Sequence, residues 1–416
     1  MVTASSTDTE AARLRNTMAD AWREYGLSFS GPVEQAMREV PRHLFLPEFA
    51  LDVAYGERAV VTHKEADGTA LSSASAPGTV AEMLDQLDVR PGHRILEIGA
   101  GTGYNAALLA RLAGPAGHVT AIDIIPDVAQ SAARHLLAAG YGNVDVICDD
   151  GMLGHARNAP YDRIIVTAGA SDIPPAWTGQ AAPGARMVIP LRVSGYSLRV
   201  ALELDENAGG PVWRSPGCEL DGFIPMRGAG CRPEQDVAVT GTAKAELRVD
   251  GHLRIDAGAI REGTRRAPAE LWTGKTITGW NRTSLAIWLL PLGGTGWVFA
   301  RQPGHGLAAL DDTSVRLAVL DVASGDTFAY LVYRPAAGRH GDAGDELGVC
   351  AYGSHARQLA ARVAGRISAW AEEHPRLTTS VEVYPAGMTI PAMDDVIFHT
   401  ASENVQVVLR NKTKDG

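Results

Sequence analysis

Cysteine is scarce in this chain. Its four residues, Cys148, Cys218, Cys231 and Cys350, form no Cys-x-x-Cys pair and no zinc spacing. That argues against a disulfide scaffold or a zinc module. It suits a reducing compartment, with thiols that are buried or incidental. Basic charge is in deficit too: 38 Lys and Arg stand against 48 Asp and Glu, a net charge of −10. Nucleic acid is thereby disfavoured as a general partner, and basic peptides or neutral small molecules fit better. No apolar run reaches the roughly 20 residues of a membrane span. The first ten residues are polar and acidic, with no apolar signal region and no lipidation motif. A cytoplasmic location with no membrane partner is expected.

What is present is globular: 45% of residues are hydrophobic and 21% charged. A length of 416 residues suggests two domains. The organising stretch is Leu96–Tyr104, Leu-Glu-Ile-Gly-Ala-Gly-Thr-Gly-Tyr. An apolar strand, Arg94–Leu96, enters it and an amphipathic helix, Asn105–Leu112, leaves it. Gly99, Gly101 and Gly103 let the backbone turn tightly and let a ligand approach. A dinucleotide fingerprint would need glycine where Tyr104 stands. A carboxylate before the glycines, Glu97, suits a cationic or amine-bearing ligand better than a pyrophosphate. The pattern resembles the first motif of S-adenosylmethionine methyltransferases. A ligand-free glycine turn is the plain alternative.

Around this motif strands and helices alternate. Residues 1–10 read as unstructured, followed by helices at Ala11–Tyr25 and Val33–Glu39. A polar run at Thr62–Thr69 precedes a helix at Thr79–Leu87. Further strands are expected at His118–Asp123, Val144–Cys148, Tyr161–Thr167 and Arg186–Pro190, with a helix at Val128–Ala139. The expected fold is α/β: a Rossmann-like, mostly parallel sheet, then a strand-rich α+β domain. Glu97, Asp123 and Asp150 all fall at carboxyl ends of strands, where such sheets bind ligands. Asp123 suits ribose hydroxyls, or could cap a helix.

The first half resembles the protein-L-isoaspartate O-methyltransferase family. Val40-Pro-Arg-His-Leu-Phe-Leu-Pro47 is similar to its N-terminal signature, and Ala74-Ser75-Ala76-Pro77 to its active-site segment. Asp149-Asp150-Gly151, Ala159–Val166 and Phe223-Ile-Pro-Met226 continue the likeness in order. The resemblance implies a carboxyl O-methyltransferase that uses S-adenosylmethionine and releases S-adenosylhomocysteine. It implies cofactor contacts from Glu97, Gly99, Ala100, Gly101, Thr102, Asp123, Ile124, Asp150 and Gly151. Ser75 matches the serine that faces the substrate carboxylate; as a residue, it could equally cap the helix that follows Pro77. Ser73 and Ala74 would lie beside it.

Two departures bear on the substrate. Arg58–Ser73 is longer and more charged than the family segment it replaces, and brings Thr62, His63 and Lys64 to the substrate mouth. The chain also continues well past the family's length. The expected division is 1–228 for methyl transfer and 229–416 for peptide recognition, joined near Arg227–Pro233. In the second half, strands are expected at Ser284–Leu290, Gly296–Arg301, Val315–Asp321, Thr327–Tyr333, Thr379–Tyr384 and Asn404–Leu409. A helix at Ser354–Glu373, which Ser354 can cap, carries Leu359, Val363, Ile367 and Trp370 on one stripe. Arg362 and Arg366 either read carboxylates or form a solvated face. His340–Asp345 reads as a loop. No repeat, metal spacing or second catalytic motif is found there. This architecture looks like the family branch associated with ribosomally made peptides, notably lanthipeptides. That branch methylates an aspartate, which passes through a succinimide to isoaspartate. General repair of isoaspartate in damaged proteins is the alternative.

Overall fold

The computed structural model describes residues 6–24, 26–66, 68–205, 208–229, 231–232, 234–241, 244–277, 282–311, 314–335, 344–373, 378–391 and 396–412. The chain divides into two compact units. The first comprises Met1–Pro190, Val200–Arg214 and Gly222–Cys231; the second comprises Leu191–Arg199, Ser215–Asp221 and Arg232–Gly416. No single cut separates them, as a boundary at 228/229 would require. Leu191–Arg199 and Ser215–Asp221 belong to the second unit although they precede it in sequence.

The first unit opens with α1 (Ser6–Glu24), α2 (Gly31–Glu39) and α3 (Leu51–Ala54). Helix α1 starts inside the segment read as unstructured, with Asp8 in its first turn, where a carboxylate favours the helix dipole. Met18 and Trp22 anchor it in the core. Next come β1 (Val60–Lys64) and β2 (Ala70–Ala74). They pair antiparallel, so the polar run is a hairpin. Gly68, at φ +90°, supplies its turn. Its charged tip hid the Val-Val and Ala-Leu flanks from a reading by polarity.

The central elements are α4 (Pro77–Leu87), β3 (Arg94–Ile98), α5 (Tyr104–Ala113), β4 (His118–Asp123), α6 (Pro126–Ala138), β5 (Asp145–Cys148), β6 (Tyr161–Val166), α7 (Pro175–Gly179), β7 (Ala181–Val193), β8 (Tyr196–Asp205) and β9 (Val212–Ser215). Prolines open α4 and α6 where a missing N–H costs nothing. Strand β3 pairs in parallel with β4 and β6, β4 with β5, and β6 with β7. The order is therefore β5-β4-β3-β6-β7. Ile95, Leu96 and Ile98 are buried, as a strand covered on both faces requires. The chain runs out to β5 and returns to β6 on the other side of β3. That reversal opens a crevice at the carboxyl ends of β3 and β6.

The second unit includes β10 (Cys218–Leu220), β11 (Glu234–Ala238), β12 (Ala245–Asp250), α8 (Ala257–Gly263), β13 (Ala269–Ile277), α9 (Arg282–Leu289), β14 (Thr295–Ala300), β15 (Ser314–Asp321), β16 (Thr327–Pro335), β17 (Asp345–Tyr352), α10 (Ala356–Glu373), β18 (Thr378–Pro385), β19 (Val396–Ala401) and β20 (Val405–Lys412). Strands β11-β12-β14-β15-β16-β17-β13 form one antiparallel sheet, on which α10 packs. Strand β20 pairs antiparallel with β18 and β19. The stripe of α10 is buried as its periodicity predicts. The hydroxyl of Ser354 donates to Asp326 at 2.8 Å. Arg366 is no solvated carboxylate reader: its guanidinium lies 4.2 Å over the Trp288 ring and donates to that residue's carbonyl. Arg362 is exposed. The segment expected as a strand at Ser284–Leu290 is helix α9, whose Ser284, Leu285, Ala286, Ile287 and Leu289 are all buried. A short, fully buried apolar run has no period to tell helix from strand. Of the loop expected at His340–Asp345, residues 340–343 lie outside the described residues, and Asp345 opens β17.

Candidate active site

Steric limits fix the turn after β3. Gly99 and Ala100 both donate their amides to the Ile122 carbonyl, at 2.8 and 2.9 Å. Gly99 sits at φ +98°, and a Cβ there would lie 2.5 Å from Thr167 Oγ1. Thr167, just past β6, donates its hydroxyl toward the carbonyls of Gly99 and Ile98, at 2.7 and 3.0 Å. Gly103 at φ +87° then caps α5.

A cavity of about 400 Å³ opens at these strand ends, wholly within the first unit. Glu97, Gly99, Ala100, Gly101 and Thr102 line it, with Asp123 and Ile124 beyond β4, Gly151 beyond β5, and Ser73, Ala74 and Ser75 beside β2. The glycine turn, the acidic strand ends and the serine segment thus meet in one place. Four expected residues lie off its wall. Thr62, His63 and Lys64 sit on β1, which lines the cavity through Val61 instead. His63 is still near enough to Asp123 to favour that residue's ionised form. Asp150 turns away: its carboxylate accepts from Met152 N at 2.9 Å and Ala229 N at 2.7 Å. It clamps the backbone behind Gly151. At Gly228 a Cβ would lie 2.3 Å from Asp150 Oδ1, which demands glycine there.

Glu97 is fully buried. Its Oε1 accepts from Asn105 Nδ2 at 2.7 Å, while Oε2 has no hydrogen-bond partner. Burial, with help from the Asp123 charge, pushes its carboxyl up to about 8. Asp123 accepts from the amides of Ile125 and Gly101, both at 3.0 Å, and burial raises its pKa as well. An orphaned carboxylate oxygen, a second carboxylate at the next strand end and an open glycine turn fit a ligand with a cationic head and vicinal hydroxyls. S-adenosylmethionine is such a ligand. Ser75 does not cap α4, whose N-cap is Ala76 with no side-chain cap bond. Its hydroxyl is free to face the cavity.

Several lining residues carried no assigned role in the sequence. Arg42 is buried beneath Ser75. Thr167 closes the turn, and Phe223–Arg227 returns to form one wall. Asn105, which fixes Glu97, stands out in the sequence only as part of a helix. The Pro-Arg-His stretch and Phe-Ile-Pro-Met were visible as family motifs, but only the fold brings them to the cavity.

Fold and site together define a Rossmann-like, S-adenosylmethionine-dependent methyltransferase. Residues 13–211 match the family model described as Protein-L-isoaspartate(D-aspartate) O-methyltransferase (PCMT). The protein-L-isoaspartate O-methyltransferase of Methanothrix thermoacetophila is 46% identical over 197 residues, covering 47% of this chain and 88% of that protein. Protein-L-isoaspartate O-methyltransferase 2 of Archaeoglobus fulgidus is 40% identical over 214 residues, covering 51% and 93%. A solved Plasmodium falciparum structure, described as a protein-L-isoaspartate O-methyltransferase in complex with S-adenosyl-L-homocysteine, aligns at a TM-score of 0.42 with 17% identity, covering 51% of this chain and 98% of that one. The chain belongs to the protein-L-isoaspartate O-methyltransferase family, and is a carboxyl methyltransferase.

Proposed function

We propose that this enzyme methylates the side-chain carboxylate of a chosen aspartate in a ribosomally made peptide of the lanthipeptide kind. Glu97, Gly99, Ala100, Gly101, Thr102, Asp123, Ile124 and Gly151 hold the cofactor, with Asp150 bracing Gly151 from behind. Bound there, S-adenosylmethionine supplies a methyl group on a sulfonium centre. The substrate carboxylate, with an ordinary pKa of roughly 3.9, is already a nucleophile at neutral pH, so no general base is needed. The work left to the protein is orientation. The Ser75 hydroxyl donates to the carboxylate and fixes its rotation. In the ester product, the next backbone nitrogen attacks the carbonyl and expels methanol. Water opens the resulting succinimide, largely to isoaspartate.

One observation carries this reading. The family match ends at residue 211, yet the chain goes on into a second ordered, strand-rich unit. A repair enzyme reads little beyond the isoaspartyl backbone, whereas choosing one aspartate needs extended contacts. We assign the second unit to peptide recognition, in the cytoplasm. Repair of isoaspartate is the second reading, favoured by 46% identity to the Methanothrix enzyme.

Matched Asp and isoAsp forms of the cognate peptide decide between them. Maturation predicts that the Asp form gains a methyl group, loses methanol, then gains water, all visible by mass. Methylation of the isoAsp form alone would establish repair. Truncation is a poor test of the second unit, since Leu191–Arg199 and Ser215–Asp221 belong to it. Surface substitutions on the sheet of β11–β17 are cleaner.

A further inference from the structure

Two cations line the cavity, Arg42 and Arg227. Arg227 is paired with Glu65 of the hairpin. Arg42 is different. It is fully buried, at 0% exposure. Its Nε donates to the Ala54 carbonyl and its Nη2 to the Ser75 carbonyl, both at 2.8 Å. Its Nη1 has no partner. Its guanidinium lies 4.9 Å over the Tyr104 ring. Among the described residues no carboxylate pairs with it. A buried charge without a counter-ion, carrying an unused donor, weakens a fold. Arg42 Nη2 also reaches the Ala74 carbonyl at 3.5 Å. Holding backbone carbonyls could be done by neutral donors. The feature therefore calls for a reason other than stability.

We propose that Arg42 is a positioning and specificity residue for the anionic substrate. It acts through Ser75. By holding the Ser75 carbonyl, it sets the backbone that carries the hydroxyl facing the substrate carboxylate. Its uncompensated charge, together with that hydroxyl, makes the mouth of the cavity favour a carboxylate over an isosteric amide. The charge stays behind the Ser75 backbone and forms no direct ion pair. This matters because methylation neutralises the carboxylate. A contact ion pair would stabilise the ionised substrate more than the transition state and slow the reaction. A charge held back selects the anion at less cost to the rate. The inference holds for an aspartyl or an isoaspartyl carboxylate alike.

The test measures a ratio within each enzyme. S-adenosylhomocysteine is kept saturating, so that no methyl group can move. One short model peptide is titrated in its Asp, isoAsp and Asn forms into wild type, Arg42→Met, Arg42→Lys and Ser75→Ala. The better acidic form is expected to bind wild type at least tenfold tighter than the Asn form. Arg42→Met should bring that ratio near one, Arg42→Lys should keep most of it, and Ser75→Ala should keep more of it than Arg42→Met. Binding of S-adenosylhomocysteine reports that each variant is folded; if Arg42→Met is not, Arg42→Gln replaces it. A merely structural arginine would lower all affinities together and leave the ratio intact. That result overturns the proposal, as does a wild-type ratio near one.

Discussion

Glu97 offers the sharpest test of the cofactor assignment, because its proton can be counted. Its carboxyl is fully buried, Oε2 has no partner, and its pKa stands near 8. At pH 7 such a group is about nine-tenths protonated. A cationic head seated against Oε2 would drive that proton off. Calorimetric titration with S-adenosylhomocysteine, in buffers of contrasting ionisation enthalpy at pH 7, should therefore show about 0.9 proton released from Glu97. The ligand's own ammonium is a second titrating group, so the informative quantity is the difference between wild type and Glu97→Gln, measured side by side. Glu97→Gln should abolish that share and weaken binding. Between pH 6 and 7, where Glu97 is protonated, wild-type affinity should rise by nearly tenfold per pH unit, and that of the variant should not. Stability has its own sign. The folded pKa lies above the ordinary carboxyl value of 4.5, so the contribution is full below about pH 4.5 and is lost as pH rises through about 8. Thermal melts of the ligand-free enzyme should fall across that window in wild type and stay flatter in Glu97→Gln. Equal proton release from both proteins would refute the placement of the cation against Glu97.

Asp123→Ala removes the acceptor at the end of β4 and should weaken S-adenosylmethionine binding at least tenfold by calorimetry; appreciable binding of NAD by wild type would revive the dinucleotide reading. Gly99→Ala places a methyl group 2.5 Å from Thr167 Oγ1 at φ +98°, and should cost roughly 2 kcal/mol or more in denaturant unfolding, with loss of cofactor binding. Asp150→Ala strands the amides of Met152 and Ala229 and should cost about 1–2 kcal/mol, with weaker cofactor binding through Gly151 rather than through a lost contact. An Asp150→Asn variant that kept full stability would show that the bonds, not the charge, hold this corner.

The parts of the site that were legible in the sequence are those written locally. A strand, a glycine turn and a helix follow one another within Arg94–Ala113, and each is dictated by its own residues: β-branched and leucine side chains, glycines at positive φ, then alanine and leucine. Glu97 and Asp123 could be placed because strand ends are readable. Asp150 could be placed at a strand end but not aimed, since its direction depends on Ala229, 79 positions away. Arg42 was hidden for the same reason: its partners are the carbonyls of Ala54 and Ser75, and carbonyls leave no mark in a sequence. The second unit suffered most. The sequence reading does not find its strands β10, β11, β12, β13, β17 and β19, and expects a strand at α9 because burial on all sides erases the helical period. The interleaved boundary also leaves no signal, because it falls inside elements rather than between them: β7 and β8 are uninterrupted strands, yet their adjoining ends belong to the second unit.

The charges in this cavity make sense only together. A carboxylate and a sulfonium react to give two neutral products, so every protein charge that favours the separated ions favours binding more than reaction. A site built of exposed ion pairs would hold both reactants firmly and be slow. Here Glu97 is buried deeply enough to stay protonated until a cation arrives, so the charge it presents is matched to the ligand it receives. Arg42 sits behind a carbonyl and brings selectivity without a contact pair. On the proposed function Ser75 is the group in reach of the carboxylate, and a neutral hydroxyl loses less than a cation would as the carboxylate charge disappears. On this reading, rate comes from alignment, and the ionised side chains serve recognition. Substitution at Asp123 should then act chiefly on KM, substitution at Ser75 chiefly on kcat, and substitution at Arg42, which supplies charge and also holds the Ser75 backbone, on both.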